Sequence, residues 1–184
     1  MKNVLLFLAD GFEEIEALAT VDVLRRAGVQ VTTVSINPTE VVTGAHGIPV
    51  IADALFADCA PAEADMLVLP GGMPGAANLD AHEGLRAAIS AHAEAGKWLA
   101  AICAAPMVYG HMGLLNGKNA TCYPGFEGEL AGAAYTAAPV EKDGNIITGK
   151  GPAVVLPFAY ALAEALVDEE VVAQVKNGML YNWQ

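Results

Sequence analysis

Cys103 ends an apolar run, Ala100-Ala101-Ile102-Cys103, and Ala104-Ala105-Pro106 follows at once with helical character. Small residues on both sides of the thiol are what a sharp strand-to-helix elbow requires; its serine version reads G-x-S-x-G. An elbow predicts a strained backbone at Cys103 and an exposed sulfur at a helix N-terminus, where the dipole favours thiolate. The competing reading is a small hydrophobic cysteine packed at a strand end. In Pro70-Gly71-Gly72, consecutive glycines at a strand end turn backbone N–H groups toward one point, making an anion nest that would stabilise an oxyanion or an oxidised sulfur. An ordinary turn is the alternative. Gly11-Phe12-Glu13-Glu14-Ile15-Glu16 opens a helix, and acids in a first turn are often only dipole partners. Glu16 lies one residue past Ile15 and two before Leu18, so it edges the expected buried face. A carboxyl held there beside a thiol has a raised pKa and shares a proton with it, pairing a general acid/base with a nucleophile.

The remaining chemistry-bearing residues form no competing set. His46, His82, His92 and His111 show no metal-ligand spacing. His82 and His92 read as solvent-facing, His46 sits in the turn Gly44 to Gly47 where it reaches toward a partner subunit, and His111 closes the helix after the elbow. Cys59, Cys103 and Cys122 offer neither a disulfide framework nor a zinc-ribbon pattern. Neither G-x-G-x-x-G nor G-x-x-x-x-G-K occurs. No metal and no cofactor is therefore expected.

These segments need a scaffold that brings strand ends together. The chain has 184 residues, 54% hydrophobic and 16% charged, with a net charge of −12. That length suits one domain spanning 1–184 with a dense core. The acidic balance disfavours nucleic acid and anionic membranes as partners. No apolar stretch reaches a membrane span and no export signal is visible, so a cytoplasmic protein with reduced thiols is expected. Val4 to Leu8, Val29 to Ile36, Met66 to Leu69 and Trp98 to Ile102 read as strands, the wholly apolar ones buried on both faces. Helices are expected from about Glu13 to Ala27, with Ile15, Leu18, Ala19 and Val23 on the buried side. Others are expected from His82 to Ala95, from Cys103 to Met112, from the Gly149–Pro152 segment to Val167, and after Asp168-Glu169-Glu170. Val41-Val42 and Ile48 to Ile51 read as a small excursion. The stretch 117–150 is less regular, with β-type runs at Thr121-Cys122, Tyr135 and Asn145 to Thr148. Such alternation predicts an α/β fold, doubly wound, with a mostly parallel sheet sandwiched by helices (flavodoxin-like), and a cysteine nucleophile elbow. Sheets of this kind bind ligands beyond the carboxyl ends of their strands.

Taken together, Glu13-Glu14-Ile15-Glu16 with Val21 to Gly28, Val68-Leu69-Pro70-Gly71-Gly72, Ala100 to Pro106, Val140 to Gly144, Gly151-Pro152 and Val172 to Val175 resemble the ThiJ/PfpI superfamily, specifically its DJ-one branch. The resemblance covers nearly the whole chain. It implies Cys103 as the reactive cysteine, Glu16 as the protonated carboxyl beside it, and the backbone of Gly71, Gly72 and Ala104 around an anion site. It also implies a homodimer with the first helix in the interface. The activities it implies are cofactor-free glyoxalase action on 2-oxoaldehydes, deglycase action on glycated proteins, peroxide sensing through cysteine sulfinate, and chaperone activity. Several members carry a His-Pro step beside the cysteine; here the step is Tyr123-Pro124, preceded by Cys122. That departure, with no histidine after His111, disfavours cysteine-protease and glutamine amidotransferase chemistry. It leaves Glu16 as the proton carrier, Tyr123 as a hydrogen-bond donor and Cys122 as a neighbour. The leading expectation is an enzyme that turns small reactive carbonyls such as methylglyoxal into hydroxy acids. The rivals are a non-enzymatic oxidative-stress sensor or chaperone, and a fold with weakened chemistry.

Overall fold

The computed structural model describes residues 1–181. The strands are β1 (Asn3–Leu8), β2 (Gln30–Ser35), β3 (Val41–Thr43), β4 (Pro49–Ile51), β5 (Ala54–Leu55), β6 (Met66–Leu69), β7 (Trp98–Ile102), β8 (Asn119–Ala120), β9 (Ala134–Tyr135), β10 (Val140–Asp143) and β11 (Ile146–Gly149). The helices are α1 (Glu14–Arg26), α2 (Gly75–Ala81), α3 (Glu83–Glu94), α4 (Pro106–His111), α5 (Val155–Glu164) and α6 (Glu169–Gly178).

Seven strands form the central sheet in the order β10-β11-β7-β6-β1-β2-β5, every pair parallel except the β10–β11 hairpin. Successive side chains of a strand point to opposite faces. In β1 that alternation feeds two cores, with Val4, Leu6 and Leu8 in one and Leu5 and Phe7 in the other. The first core is closed by α1, α5 and α6, the second by α2, α3 and α4. The sheet is thus buried on both faces, which is why its strands read as unbroken apolar runs. Strand order reverses beside β1, whose neighbours are β2 and β6. The crevice such a reversal opens lies at the carboxyl ends of β1, β6 and β7, where Gly11, Gly71 and Cys103 follow.

The doubly wound, mostly parallel fold holds as expected, and several local readings change. The expected helix from His82 is preceded by a separate one, α2, because His82 leaves helical geometry and its ring accepts the Leu85 N–H as a cap. α5 stops at Glu164, before Val167. In the irregular stretch a strand forms at Asn119–Ala120 instead of Thr121-Cys122, and β10 is an additional edge strand. On α1, Ile15 and Leu18 are 57% and 44% exposed, while Ala17, Val21 and Leu24 face inward with Glu16, Thr20 and Val23. Spacings of i, i+4 and i+7 from Ala17 set that face, and they carry Ile15 and Leu18 off it. His92 is 2% exposed, a correction to its solvent-facing reading; it continues the buried row Leu85, Ile89, His92. His111 closes α4 as expected, its two ring nitrogens 2.8 Å from Asp80 and 2.7 Å from Glu129. Glu129 and Asp80 raise its pKa above the usual histidine value, since two carboxylates favour the doubly protonated ring. Among the described residues, no helix is long and apolar enough to cross a membrane.

Candidate active site

β7 ends at Ile102 and Cys103 turns into the left-handed region at φ 65°. A non-glycine residue there costs about 1–3 kcal/mol and persists only where its surroundings hold it. Both backbone groups of Cys103 are held. Its N–H donates to Gly149 O at 2.9 Å, and its carbonyl accepts the Tyr123 N–H at 2.8 Å. Gly149 ends β11 against Ile102 and Phe158; a Cβ at Gly149 would stand 2.9 Å from both side chains. The elbow is thus present, but its sulfur is not exposed, since Cys103 is only 8% accessible.

Glu16 comes to the thiol from the first turn of α1 and is fully buried. Its Oε2 accepts the Gly71 N–H at 2.8 Å, and the Gly71 carbonyl accepts the Glu13 N–H at 2.8 Å. Gly71 therefore ties the end of β6 to the start of α1 through both of its polar groups. A Cβ at Gly71 would lie 2.5 Å from Cys103 Cβ and 2.8 Å from Glu16 Oε2. The absent side chain is what lets the acid and the thiol share one small space. Gly72, at φ 87°, packs directly on the backbone of Gly11 and Glu13. The N–H groups of Gly72 and Ala104 act on the Cys103 sulfur. Of the three expected nest residues, then, Gly72 and Ala104 serve the sulfur, and Gly71 serves the carboxyl.

The electrostatics of the pair follow from this enclosure. Burial pushes the Glu16 carboxyl up to about 7; the Gly71 N–H and the Cys103 thiol oppose the rise, and the charge of Glu13 adds to it. Burial and the negative charge of Glu16 push the Cys103 thiol up to about 12, against the pull of the Gly72 and Ala104 N–H groups. The expectation of a low thiol pKa is corrected on that account. α4 begins only at Pro106, and the nearest charge to the sulfur is a carboxylate. Among the described residues Glu16 Oε1 has no hydrogen-bond partner of normal geometry. The thiol and the carboxyl act on each other both by charge and by side-chain hydrogen bonding. A proton on Glu16 removes the repulsion that opposes a thiolate, so the two titrate as one unit.

Tyr123 is adjacent as expected, bonded to Cys103 through its backbone, with its side chain half-exposed. Cys122 is completely buried in the opposite core from Cys103, and burial pushes its thiol up to about 11. Cys59 is half-buried and its thiol donates to Leu55 O at 3.3 Å. The sequence alone does not single out Gly149, it marks Glu13 only as a helix-start acid, and it suggests His46 reaching toward a partner subunit rather than toward Glu14 of its own chain. A glycine closing an apolar strand is a signal of close backbone approach, which marks Gly149. His46 pairs with Glu14, and no spacing links residues 32 positions apart. Ligand atoms of Glu13, Glu14 and His46 lie within 4.8 Å of one another. Both oxygens of Glu14 already accept from His46 and Ile48, which makes this an ion pair rather than an open metal centre.

With this geometry in view, the relationships of the chain are informative. Residues 2–165 match the model of the DJ-1/PfpI family. "Protein DJ-1 homolog B" of Arabidopsis thaliana is 39% identical over 97% of the chain; the chain spans only 41% of that relative's length. A protein named a deglycase from Pyrococcus abyssi is 35% identical over 82% of the chain and 90% of its own length. The solved structure of oxidized Toxoplasma gondii DJ-1 superimposes with a TM-score of 0.93 at 36% identity, covering 98% of both chains. The chain belongs to the DJ-1/PfpI family.

Proposed function

We propose that this member of the DJ-1/PfpI family is a cofactor-free enzyme for reactive carbonyls, converting 2-oxoaldehydes such as methylglyoxal to 2-hydroxy acids. The observation behind this reading is a buried carboxyl poised at about 7 beside a strained, enclosed thiol, with two N–H groups directed at the sulfur. A general acid/base works best with a pKa near the operating pH. Ionised Glu16 accepts the thiol proton as the sulfur attacks the aldehyde carbon, and returns it to the carbonyl oxygen, giving a hemithioacetal. No free thiolate has to form, so the raised thiol pKa is no obstacle. Glu16 then takes the proton from the former aldehyde carbon, leaving an enediolate with its charge on the ketone oxygen, and delivers that proton to the neighbouring carbon while the hydroxyl proton of the former aldehyde passes to the ketone oxygen, which gives a 2-hydroxy thioester. The aldehyde carbon is oxidised by two electrons and the ketone carbon reduced by two, with no outside redox partner. The resulting thioester is cleaved by water, releasing lactate from methylglyoxal and restoring the thiol. The N–H groups of Gly72 and Ala104 are the donors available to negative charge beside the sulfur. The Pyrococcus relative's name supports related chemistry on glycated proteins. Lactate formation from methylglyoxal in purified protein tests the reading: it is expected to need both Cys103 and Glu16, and unchanged turnover in Cys103→Ala would refute it.

A second reading has its own support, the two N–H donors at the sulfur and an unpartnered Glu16 Oε1. Peroxide would oxidise Cys103 to sulfinate, whose oxygens would accept from the two N–H groups and from Glu16 in its protonated form. Mass spectrometry after mild hydrogen peroxide should then find two added oxygens on Cys103 before Cys59 or Cys122.

We further propose a cytoplasmic homodimer that meets through α1 and the β3–β4 hairpin. Ile15, Leu18, Val41, Ile48 and Ile51 are all exposed there, and Glu14 ties the hairpin to the helix by accepting the His46 and Ile48 N–H groups. Light scattering should report a dimer that Leu18→Glu dissociates.

A further inference from the structure

Both backbone bonds that hold Cys103 lead directly into one pocket. The segment that supplies its N–H acceptor, Gly149, continues through Lys150 to Val154; the segment that supplies its carbonyl donor is Tyr123-Pro124. These two stretches wall a pocket of about 190 Å³ whose lining atoms are almost all apolar. The Tyr123 ring lies against Gly151, where a Cβ would stand 3.2 Å from its Cδ2. The one charged side chain, Lys150, is turned to the Ala137 carbonyl at 3.2 Å. Tyr123, Pro124, Pro152 and Val154 therefore present carbon to whatever enters.

We propose that this pocket is the substituent-binding half of the site, and that it selects 2-oxoaldehydes whose ketone carbon carries an aromatic or branched apolar group. The proposal rests on the carbonyl reading of Cys103 and Glu16 and names the substrate class for it. Size and polarity both point this way. An apolar cavity of about 150 Å³ admits a benzene ring. The methyl group of methylglyoxal fills little of such a space, and a hydroxylated sugar chain would lose its water there without hydrogen bonds in return. A ring stacked on Tyr123 gains contact area and aromatic geometry together. A pocket of this kind discriminates by roughly 10–100-fold between a small and a well-filling apolar group.

Phenylglyoxal and methylglyoxal turnover by the full chain, with Tyr123→Ala and Val154→Asp, tests the proposal. The expected kcat/KM favours phenylglyoxal by about tenfold or more, and both variants collapse that ratio. Alanine at 123 keeps the N–H that holds Cys103, and Val154 is a half-exposed second wall should the first variant misfold. The chemistry-free arm uses Cys103→Ala protein titrated with mandelate and lactate by ligand-observed NMR. Tyr123-dependent preference for mandelate supports the pocket even if no oxoaldehyde is turned over, a result that would sink the carbonyl reading alone. Equal kcat/KM for the two aldehydes, or equal binding of mandelate and lactate, overturns the pocket and leaves the carbonyl reading intact.

Discussion

Glu14 and Glu16 stand two residues apart in the first turn of α1, both with side chains withdrawn from solvent, and their acidities move in opposite directions. Burial raises both. At Glu14 that rise is outweighed by the His46 ring at 2.9 Å and by the N–H groups of His46 and Ile48 at 2.8 and 3.4 Å. At Glu16 the Gly71 N–H and the Cys103 thiol face the same penalty and do not overcome it, and among the described residues Oε1 has no hydrogen-bond partner. Burial alone therefore does not make a proton carrier of a helix-start glutamate. The donors that reach it decide: two backbone N–H groups and a histidine ring at Glu14, against one backbone N–H and a weakly donating thiol at Glu16.

The sharpest way to break this contrast is to remove proton transfer while keeping shape. Glu16→Gln retains an acceptor for Gly71 and is expected to lower 2-oxoaldehyde turnover by about 10²–10⁴-fold. Glu14→Gln should leave turnover within a few-fold, and lactate assays on both variants measure the difference. The next effect lies in stability against pH. A carboxyl with a raised folded pKa stabilises the fold below its unfolded value of 4.5, and that contribution is lost as pH rises through about 7. Glu16 alone accounts for about 3 kcal/mol over that window. Urea unfolding from pH 4.5 to 8 should show the decline in the native protein and a flatter profile in Glu16→Gln. Gly71→Ala places a methyl group against Cys103 Cβ and Glu16 Oε2, and an overpacking cost of about 1–3 kcal/mol is expected in thermal unfolding, with turnover falling as the pair separates. The smallest effect is on the other glutamate. Glu14 is the first cause of the raised His46 pKa, so Glu14→Gln should return the His46 NMR titration toward 6.5.

Much of this arrangement was legible in the chain because short-range patterns carry it. Unbroken apolar runs marked β1, β6 and β7, and the residues leaving them marked Cys103, Gly71 and Gly72. Glu16 was located by its place beside an apolar face, although the face itself lies over Ala17, Val21 and Leu24 rather than Ile15 and Leu18. Apolar residues on a helix do not by themselves say which of them reach the core, and Ile15 and Leu18 do not. An elbow dipole predicts an acidic thiol, while burial of Cys103, and after it the charge of a glutamate 87 positions earlier, push the thiol the other way. His46 with Glu14, and Gly149 with Cys103, are pairings across long sequence distances that no local signal reports.

The left-handed backbone of Cys103 is held by residues 123 and 149, both of them later in the chain. During synthesis the elbow segment emerges well before either of them. Until β11 aligns beside β7, Cys103 has no acceptor at Gly149 and no reason to keep a positive φ. A nascent or locally opened chain thus carries an ordinary solvated thiol, ionising near ~8.5. The bonds that hold its left-handed turn are complete only when β11 pairs with β7. The left-handed turn at Cys103 is in this sense a certificate of completed folding, issued only once the last strand is in place.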